Sequence, residues 1–243
     1  DGRVQNGGVS RYRGFASRHL APVDHGASED DLVHVTVEST QSHVRVAEAA
    51  RTRVFRDDRY VPVARRVVRE PRYAGQILTV PVADGEPVRV EKVVCLVTSR
   101  LPAVSEAGIE ARTWALRAGD FEELLRSHVQ AWDHIWHRCE LRVEGSERSG
   151  QILNLHVFHL LQTVSEHSSF LDVGVPARGL HGEAYRGHIF WDELFIFPFL
   201  NYRYPELTRA LLLYRYRRLP AARWAAREEG YRGAMFPWQS GSN

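Results

Sequence analysis

The rhythm of apolar and polar positions changes once along the chain, near residue 100. In Leu32-Val33-His34-Val35-Thr36-Val37-Glu38 the two kinds alternate, with Val33, Val35 and Val37 on one side of an extended backbone and His34, Thr36 and Glu38 on the other. That is the period-two signature of a half-buried strand. Residues 75–82 and 88–99 read the same way, and the stretch 81–87, with Asp84-Gly85 and its prolines, marks a turn between them. Residues 44–54 are a weaker strand, since their alanines equally permit a short helix. Short strands at this spacing predict an antiparallel sandwich with a structural role. The arginines between residues 45 and 72 read as its solvated face.

Beyond residue 105 the period lengthens to that of a helix. Ser105 is placed to cap a helix over 106–118 that Gly119 ends. Asp120 is placed to cap 121–137, where Phe121, Leu124, Leu125, His128, Trp132, Ile135 and Trp136 follow helical spacing. Residues 139–144 alternate like a short strand, and 150–168 predict a third helix. A long loop over 172–187 holds Gly174, Gly179, Gly182, Gly187 and Pro176. Two more helices are expected over 188–202 and 206–229, the second broken at Pro220.

Composition narrows the class. With 44% hydrophobic and 26% charged residues in 243, the chain has ordinary globular make-up. A net charge of +2 gives no electrostatic reason to expect nucleic acid or a membrane surface as partner. Cys95 and Cys139 are too few for a disulfide framework, which points to a reducing compartment, the cytoplasm. The longest apolar run, 189–200, is interrupted by Asp192 and Glu193 and is too short to span a bilayer. Asp1 opens within a polar stretch and 239–243 is loop-like, as expected of an internal segment of a longer protein.

The adjacent carboxylates Asp192 and Glu193 stand among apolar and aromatic residues. Burying an unpaired carboxylate is costly, so at least one requires a partner: a helix N-terminus, or Arg186. The alternative is a sugar pocket, in which the Trp191 indole packs on the C–H face of a pyranose while Asp192 accepts hydrogen bonds from neighbouring hydroxyls. Trp238 and Gln239 offer a second stacking surface and an amide, and loops gathered at helix ends would bring the two segments together. His156 with His159, and His134 with His137, sit at i, i+3. Neither pair has the further ligands of a zinc site, so no metal and no cofactor are expected.

The strings Val175-Pro176-Ala177-Arg178-Gly179-Leu180, Gly182-Glu183-Ala184-Tyr185-Arg186-Gly187-His188-Ile189-Phe190-Trp191-Asp192, Leu211-Leu212-Leu213-Tyr214-Arg215-Tyr216 and Gly230-Tyr231-Arg232-Gly233-Ala234-Met235-Phe236-Pro237-Trp238-Gln239-Ser240 resemble glycoside hydrolase family 65, as does Phe158-His159-Leu160-Leu161-Gln162. The family contains maltose, trehalose and kojibiose phosphorylases and related hydrolases. The resemblance implies an α+β multidomain chain: the C-terminal part of a β-sandwich over 1–100, a helical linker over 101–147, and the first helices of an incomplete (α/α)6 barrel over 148–243. It implies that Trp191 and Asp192 bind glucose in the cleaved-sugar subsite, with Tyr185, Arg178, Trp238 and Gln239 as further substrate-binding candidates. The family's general acid and phosphate loop lie downstream of these strings, so no catalytic residue is assigned within the segment, and the segment alone is expected to be inactive.

The expected function is inverting cleavage of trehalose-, maltose- or kojibiose-type disaccharides by phosphorolysis, with inorganic phosphate as co-substrate and a homodimeric full-length protein. Hydrolysis of the same substrates is the alternative, and a non-catalytic carbohydrate-binding module a further one. The family's common Phe-Trp-Asp-Thr-Glu stands here as Phe190-Trp191-Asp192-Glu193-Leu194, so the role of the family's glutamate is not carried over to Glu193.

Overall fold

The computed structural model describes residues 19–27, 31–70, 72–180, 182 and 185–241. His181, Glu183 and Ala184 of the family-like strings lie outside the described residues. The chain divides into two compact units, Asp1–Val129 and Gln130–Asn243.

The first unit is built on an antiparallel five-stranded sheet. Strands β1 (Leu20–Ala27), β2 (Leu32–Ser39) and β3 (Arg45–Arg56) follow one another, and β4 (Arg59–Tyr60) and β7 (Arg89–Thr98) both pair with β3. A separate ribbon, β5 (Ala64–Glu70) with β6 (Tyr73–Thr79), lies against β1 and β2. The helix-permissive alanines of 44–54 are therefore strand. They are held on both sides, Ala47 opposite Thr36 and Val97, Ala49 opposite His34 and Cys95, so tertiary pairing overrides local preference.

Helix α1 (Ala107–Arg117) explains those alanines. Ala107, Ala111 and Ala115 recur every fourth residue and meet Ala47, Ala49 and Val97, small side chains on both surfaces. A Cβ added at Gly108 would lie 2.7 Å from Thr36 Oγ1, which measures how closely the helix approaches the sheet. The His34–Thr36 side, expected to face water, is thus the covered side, and Thr36 is buried. The cap of α1 is Glu106, one residue later than expected, its carboxylate accepting from Ile109 N.

Arg51, expected on a solvated face, is buried as well. Its guanidinium donates to Leu116 O at 3.1 Å, Ala118 O at 2.8 Å and Gly119 O at 2.8 Å, the carbonyls a helix end leaves without intrahelical partners. On the same side of the sheet Glu91 accepts from Phe121 N at 3.0 Å, the opposite charge at the N-terminus of helix α2 (Phe121–Cys139). Asp120 closes that end as expected, accepting from Glu123 N at 2.8 Å while Glu123 accepts from Asp120 N at 3.3 Å.

In the second unit the alternating 139–144 stretch is not a strand. Asn154 takes the place of a partner strand, donating to Leu141 O at 2.9 Å and accepting from Leu141 N at 3.0 Å. Helix α3 (Glu147–Leu161) begins at a Ser146 cap, ahead of the expected 150, and is followed by a separate 3-10 turn at Glu166–Phe170. The expected helix over 188–202 divides into strand β8 (Ile189–Phe190) and helix α4 (Glu193–Arg203). Helices α5 (Pro205–Arg217) and α6 (Leu219–Glu228) each carry a proline in the first turn, where its missing N–H costs nothing. Val157, Ile196, Phe197, Leu200, Leu207 and Leu211 form the core of this unit. Among the described residues no helix is long and apolar enough to cross a membrane.

Candidate functional site

Strand β8 pairs antiparallel with β9 (Gln239–Ser240), Ile189 opposite Ser240 and Phe190 opposite Gln239. Trp191 N donates to Trp238 O at 3.3 Å, extending the ladder. The two indoles follow from that register. Trp191 and Trp238 stack at 6.3 Å between ring centres with 23° between planes, and they are 43% and 65% exposed. Phe190 is buried beneath them, edge-on to Trp238 at 5.9 Å, and Phe195 abuts Trp191 at 5.2 Å. Tyr185, at φ 55°, packs its ring on Phe190 at 4.6 Å. A tyrosine in the left-handed region costs on the order of 1–3 kcal/mol; here the Phe190 contact helps to hold it.

The adjacent carboxylates have separate fates. Asp192 is exposed, makes no capping hydrogen bond and follows Trp191 directly in the chain. Glu193, the first residue of α4, is buried. Its Oε1 receives Arg215 Nε at 2.5 Å and its Oε2 receives Val175 N at 3.4 Å. Arg215 is therefore its partner; the side chain of Arg186, the partner expected from the sequence, lies outside the described residues. The same guanidinium lies 5.5 Å from the Tyr214 ring centre and 5.7 Å from that of Phe236.

The 172–187 loop is fastened at intervals. Asp172 accepts from Arg217 at 3.0 Å and from both Nη1 (3.1 Å) and Nη2 (3.0 Å) of Arg218. Those bonds, Arg218 foremost, hold its carboxyl below the ordinary aspartate range. Pro176 bridges Ile189, and Ala177 N donates to His188 O at 3.3 Å. Gly179 lies against the backbone of Gln162, where a Cβ would come within 2.0 Å of the carbonyl oxygen. Gln239 Nε2 donates to His188 Nδ1.

Of the six candidate residues, the structure gathers Tyr185, Trp191, Asp192, Trp238 and Gln239 around the β8–β9 ladder. Arg178 is exposed on the loop, where its side chain lies against Gly182. Sequence reasoning missed the parts beneath: Arg215 and Phe236 stood in the family-like strings without a role. The apolar surroundings of Glu193 signalled that a cation was needed, but nothing in the spacing chose one arginine among many. His159 Nδ1 pairs with Gln162 Oε1 at 3.4 Å and His137 Nδ1 with Asp133 O at 2.6 Å. Among the described residues no group of three or more His, Cys, Asp or Glu side chains is arranged to hold a metal.

An exposed aromatic surface with an exposed carboxylate adjacent in sequence is the equipment of a saccharide site. Residues 1–135 match the glycosyl hydrolase family 65 N-terminal domain, and residues 154–243 match the central catalytic domain of the same family. The chain belongs to glycosyl hydrolase family 65. It is 45% identical over 243 residues to an uncharacterized glycosyl hydrolase of Mycobacterium tuberculosis, covering 100% of this chain and 18% of that protein. It is 32% identical over 250 residues to a kojibiose phosphorylase of Halothermothrix orenii, covering 99% of this chain and 31% of that one. A trehalose 6-phosphate phosphorylase of Lactococcus lactis is 32% identical over 244 residues, with 99% of this chain and 30% of that one covered. The chain thus spans less than a third of the length of these relatives. A solved structure, a kojibiose phosphorylase candidate from the human microbiome, shares the fold with a TM-score of 0.70 at 19% identity over 99% of this chain and 30% of that one.

Proposed function

We propose that this chain carries the glucose-holding part of an enzyme that cleaves α-glucosidic disaccharides by phosphorolysis with inversion. The observation that supports it most directly is the stacked, exposed pair Trp191–Trp238, with the exposed carboxylate of Asp192 next to Trp191 in the chain. An indole face takes the apolar C–H side of a pyranose, and a carboxylate at the ring's rim accepts from vicinal hydroxyls, so one sugar is held by both faces of its chemistry. Tyr185, packed on Phe190, adds a phenol, Gln239 in β9 adds an amide, and Arg178 supplies a cation from the loop. The relatives named for kojibiose and trehalose 6-phosphate phosphorolysis support phosphate as the acceptor. In this assignment residues 1–100 contribute a sandwich, 101–147 a helical linker and 148–243 the opening helices of an (α/α)6 barrel.

In the reaction the C1–oxygen bond to the departing sugar breaks. A phosphate oxygen bonds to C1 from the opposite face, and a carboxylic acid passes its proton to the departing oxygen. Phosphate is already an anion, so no general base is needed. Neither the acid nor the phosphate site is assigned to a residue of this chain. The residues here bind and orient the sugar that keeps C1.

The test is made with the full-length protein on kojibiose, trehalose and maltose, with and without phosphate. Phosphate-dependent release of β-glucose 1-phosphate is the expected result, and release of free glucose at the same rate without phosphate would overturn phosphorolysis. In the same protein Asp192→Ala and Trp191→Ala are each expected to lower kcat/KM at least tenfold; unchanged kinetics in both would remove the indole and carboxylate from the sugar site.

A further inference from the structure

The β8–β9 ladder pairs Ile189 with Ser240 and Phe190 with Gln239 and is extended by the bond from Trp191 N to Trp238 O, and a two-stranded ribbon this short has no stability of its own. Whatever fixes the distance between the two indoles must stand behind it. Two contacts converge there on one side chain, Arg215, and a third extends one of them to the loop. Arg215 Nε donates to the buried carboxylate of Glu193, two residues from Trp191. Through the other oxygen of that carboxylate the loop is caught at Val175 N. The guanidinium plane of Arg215 also lies near the ring of Phe236, two residues before Trp238. Arg215 itself is fixed on α5, whose Leu211 is part of the unit's core.

We infer that Arg215 is the positioning residue of the sugar surface: through Glu193 it sets Trp191 and Asp192, and through Phe236 it sets Trp238, so that the spacing of the indoles is held from one guanidinium. This rests on the indole pair being the sugar-binding surface. A planar cation suits the task, because Nε engages the carboxylate while the π-face remains open to a ring. Lysine offers a charge but no plane. A buried Glu193 without Arg215 would be an unpaired charge at the start of α4, and that turn, with Trp191 and Asp192 leading into it, would shift to hydrate it.

The stacked indoles provide a readout independent of any sugar. Indoles at this separation couple, giving a paired band in the far-ultraviolet circular dichroism. Trp132 and Trp136, at 6.1 Å, contribute a similar band, so the signal of interest is the difference between each protein and its own Trp238→Phe version. Arg215→Lys and Phe236→Leu are compared with the parent in the full-length protein. The expected result is loss of at least half of the difference band in both, with cooperative melting retained. KM for disaccharide should rise at least fivefold, and kcat should change less than threefold. Should Arg215→Lys fail to fold, Phe236→Leu decides alone, since it leaves the ion pair intact and alters only a half-buried ring. An unchanged difference band in a folded Phe236→Leu protein would overturn the inference. Failure of the parent to bind any disaccharide, with the band still lost in the variants, would overturn the sugar assignment and leave the positioning role standing.

Discussion

Asp192 and Glu193 differ by one methylene and one peptide bond, yet they serve opposite ends. Glu193 has given up its water for one arginine and one amide, and removing either charge strands the other. Truncating it is expected to cost about 3–5 kcal/mol, read as a lowered urea midpoint for Glu193→Ala. Asp192 is exposed and makes no capping bond, so Asp192→Ala should leave that midpoint within about 0.5 kcal/mol while weakening glucose binding. A lost charged hydrogen bond is worth about 1.5–3 kcal/mol, roughly tenfold or more in affinity by titration calorimetry. Asp172 adds a pH dependence of known sign. Its carboxyl, held low by Arg218 and then Arg217, contributes stability that is fully present above the unfolded value of about 4. That contribution fades as pH falls through the lower folded value. Asp172→Asn should therefore flatten the acid limb of a pH–melting curve below about pH 4 and leave its shape above that unaltered.

At the level of elements, charge is matched to helix ends across one sheet face, and the match is testable. Arg51 replaces water on three carbonyls at the end of α1. Arg51→Met keeps the stem but leaves those carbonyls to hydrate at the rim of a core, a loss of about 2–3 kcal/mol in chemical denaturation. Replacing the exposed Arg45 that pairs with Glu38 should move the denaturation midpoint far less, because solvent screens a surface pair. Gly179→Ala tests the loop: its Cβ would meet Gln162 backbone rather than a yielding side chain, so the 172–187 segment should lift away, and faster trypsin cleavage at Arg178 reports it. These same elements show what periodicity can and cannot carry. β2, β7 and α2 were legible because one set of apolar residues recurs at one spacing. β1 and β5 went unread: Ala64-Arg65-Arg66-Val67-Val68-Arg69-Glu70 has too few apolar positions to signal a strand. Its pairing with β6 comes from the ribbon, and its arginines reach back to Thr52 O and Ala27 O. The Trp191–Asp192 pair could be named from the sequence because an indole and a carboxylate at an apolar helix start is unusual. Its support from Arg215 and Phe236 could not, since an ion pair between residues 193 and 215 is settled by how α4 packs on α5 and leaves no spacing to read.

For the molecule as a solute, the distribution of apolar surface matters more than the net charge of +2. Helix α4 buries Ile196, Phe197 and Leu200 but turns Leu194 (62% exposed), Phe195 (71%) and Tyr202 (91%) to solvent. Helix α5 adds Leu212 and Tyr216 along a groove also lined by Asn201, Pro205, Thr208, Arg209 and Leu213. Leu194, Pro198 and Tyr202 recur every fourth residue on α4, as Pro205, Arg209, Leu212 and Tyr216 follow one side of α5, so the exposed groups form strips rather than scattered points. Strips of this kind associate in water when nothing covers them, and so small a net charge offers little repulsion to prevent it. The 243-residue chain on its own is therefore expected to self-associate at micromolar concentration, seen as a sedimentation coefficient that rises with loading. Leu212→Glu together with Tyr202→Lys should restore a concentration-independent monomer. Both side chains are already exposed, so the melting temperature should move by no more than a degree or two. A monomer in the parent chain, or association that survives both changes, would show that these strips are not what brings the chains together.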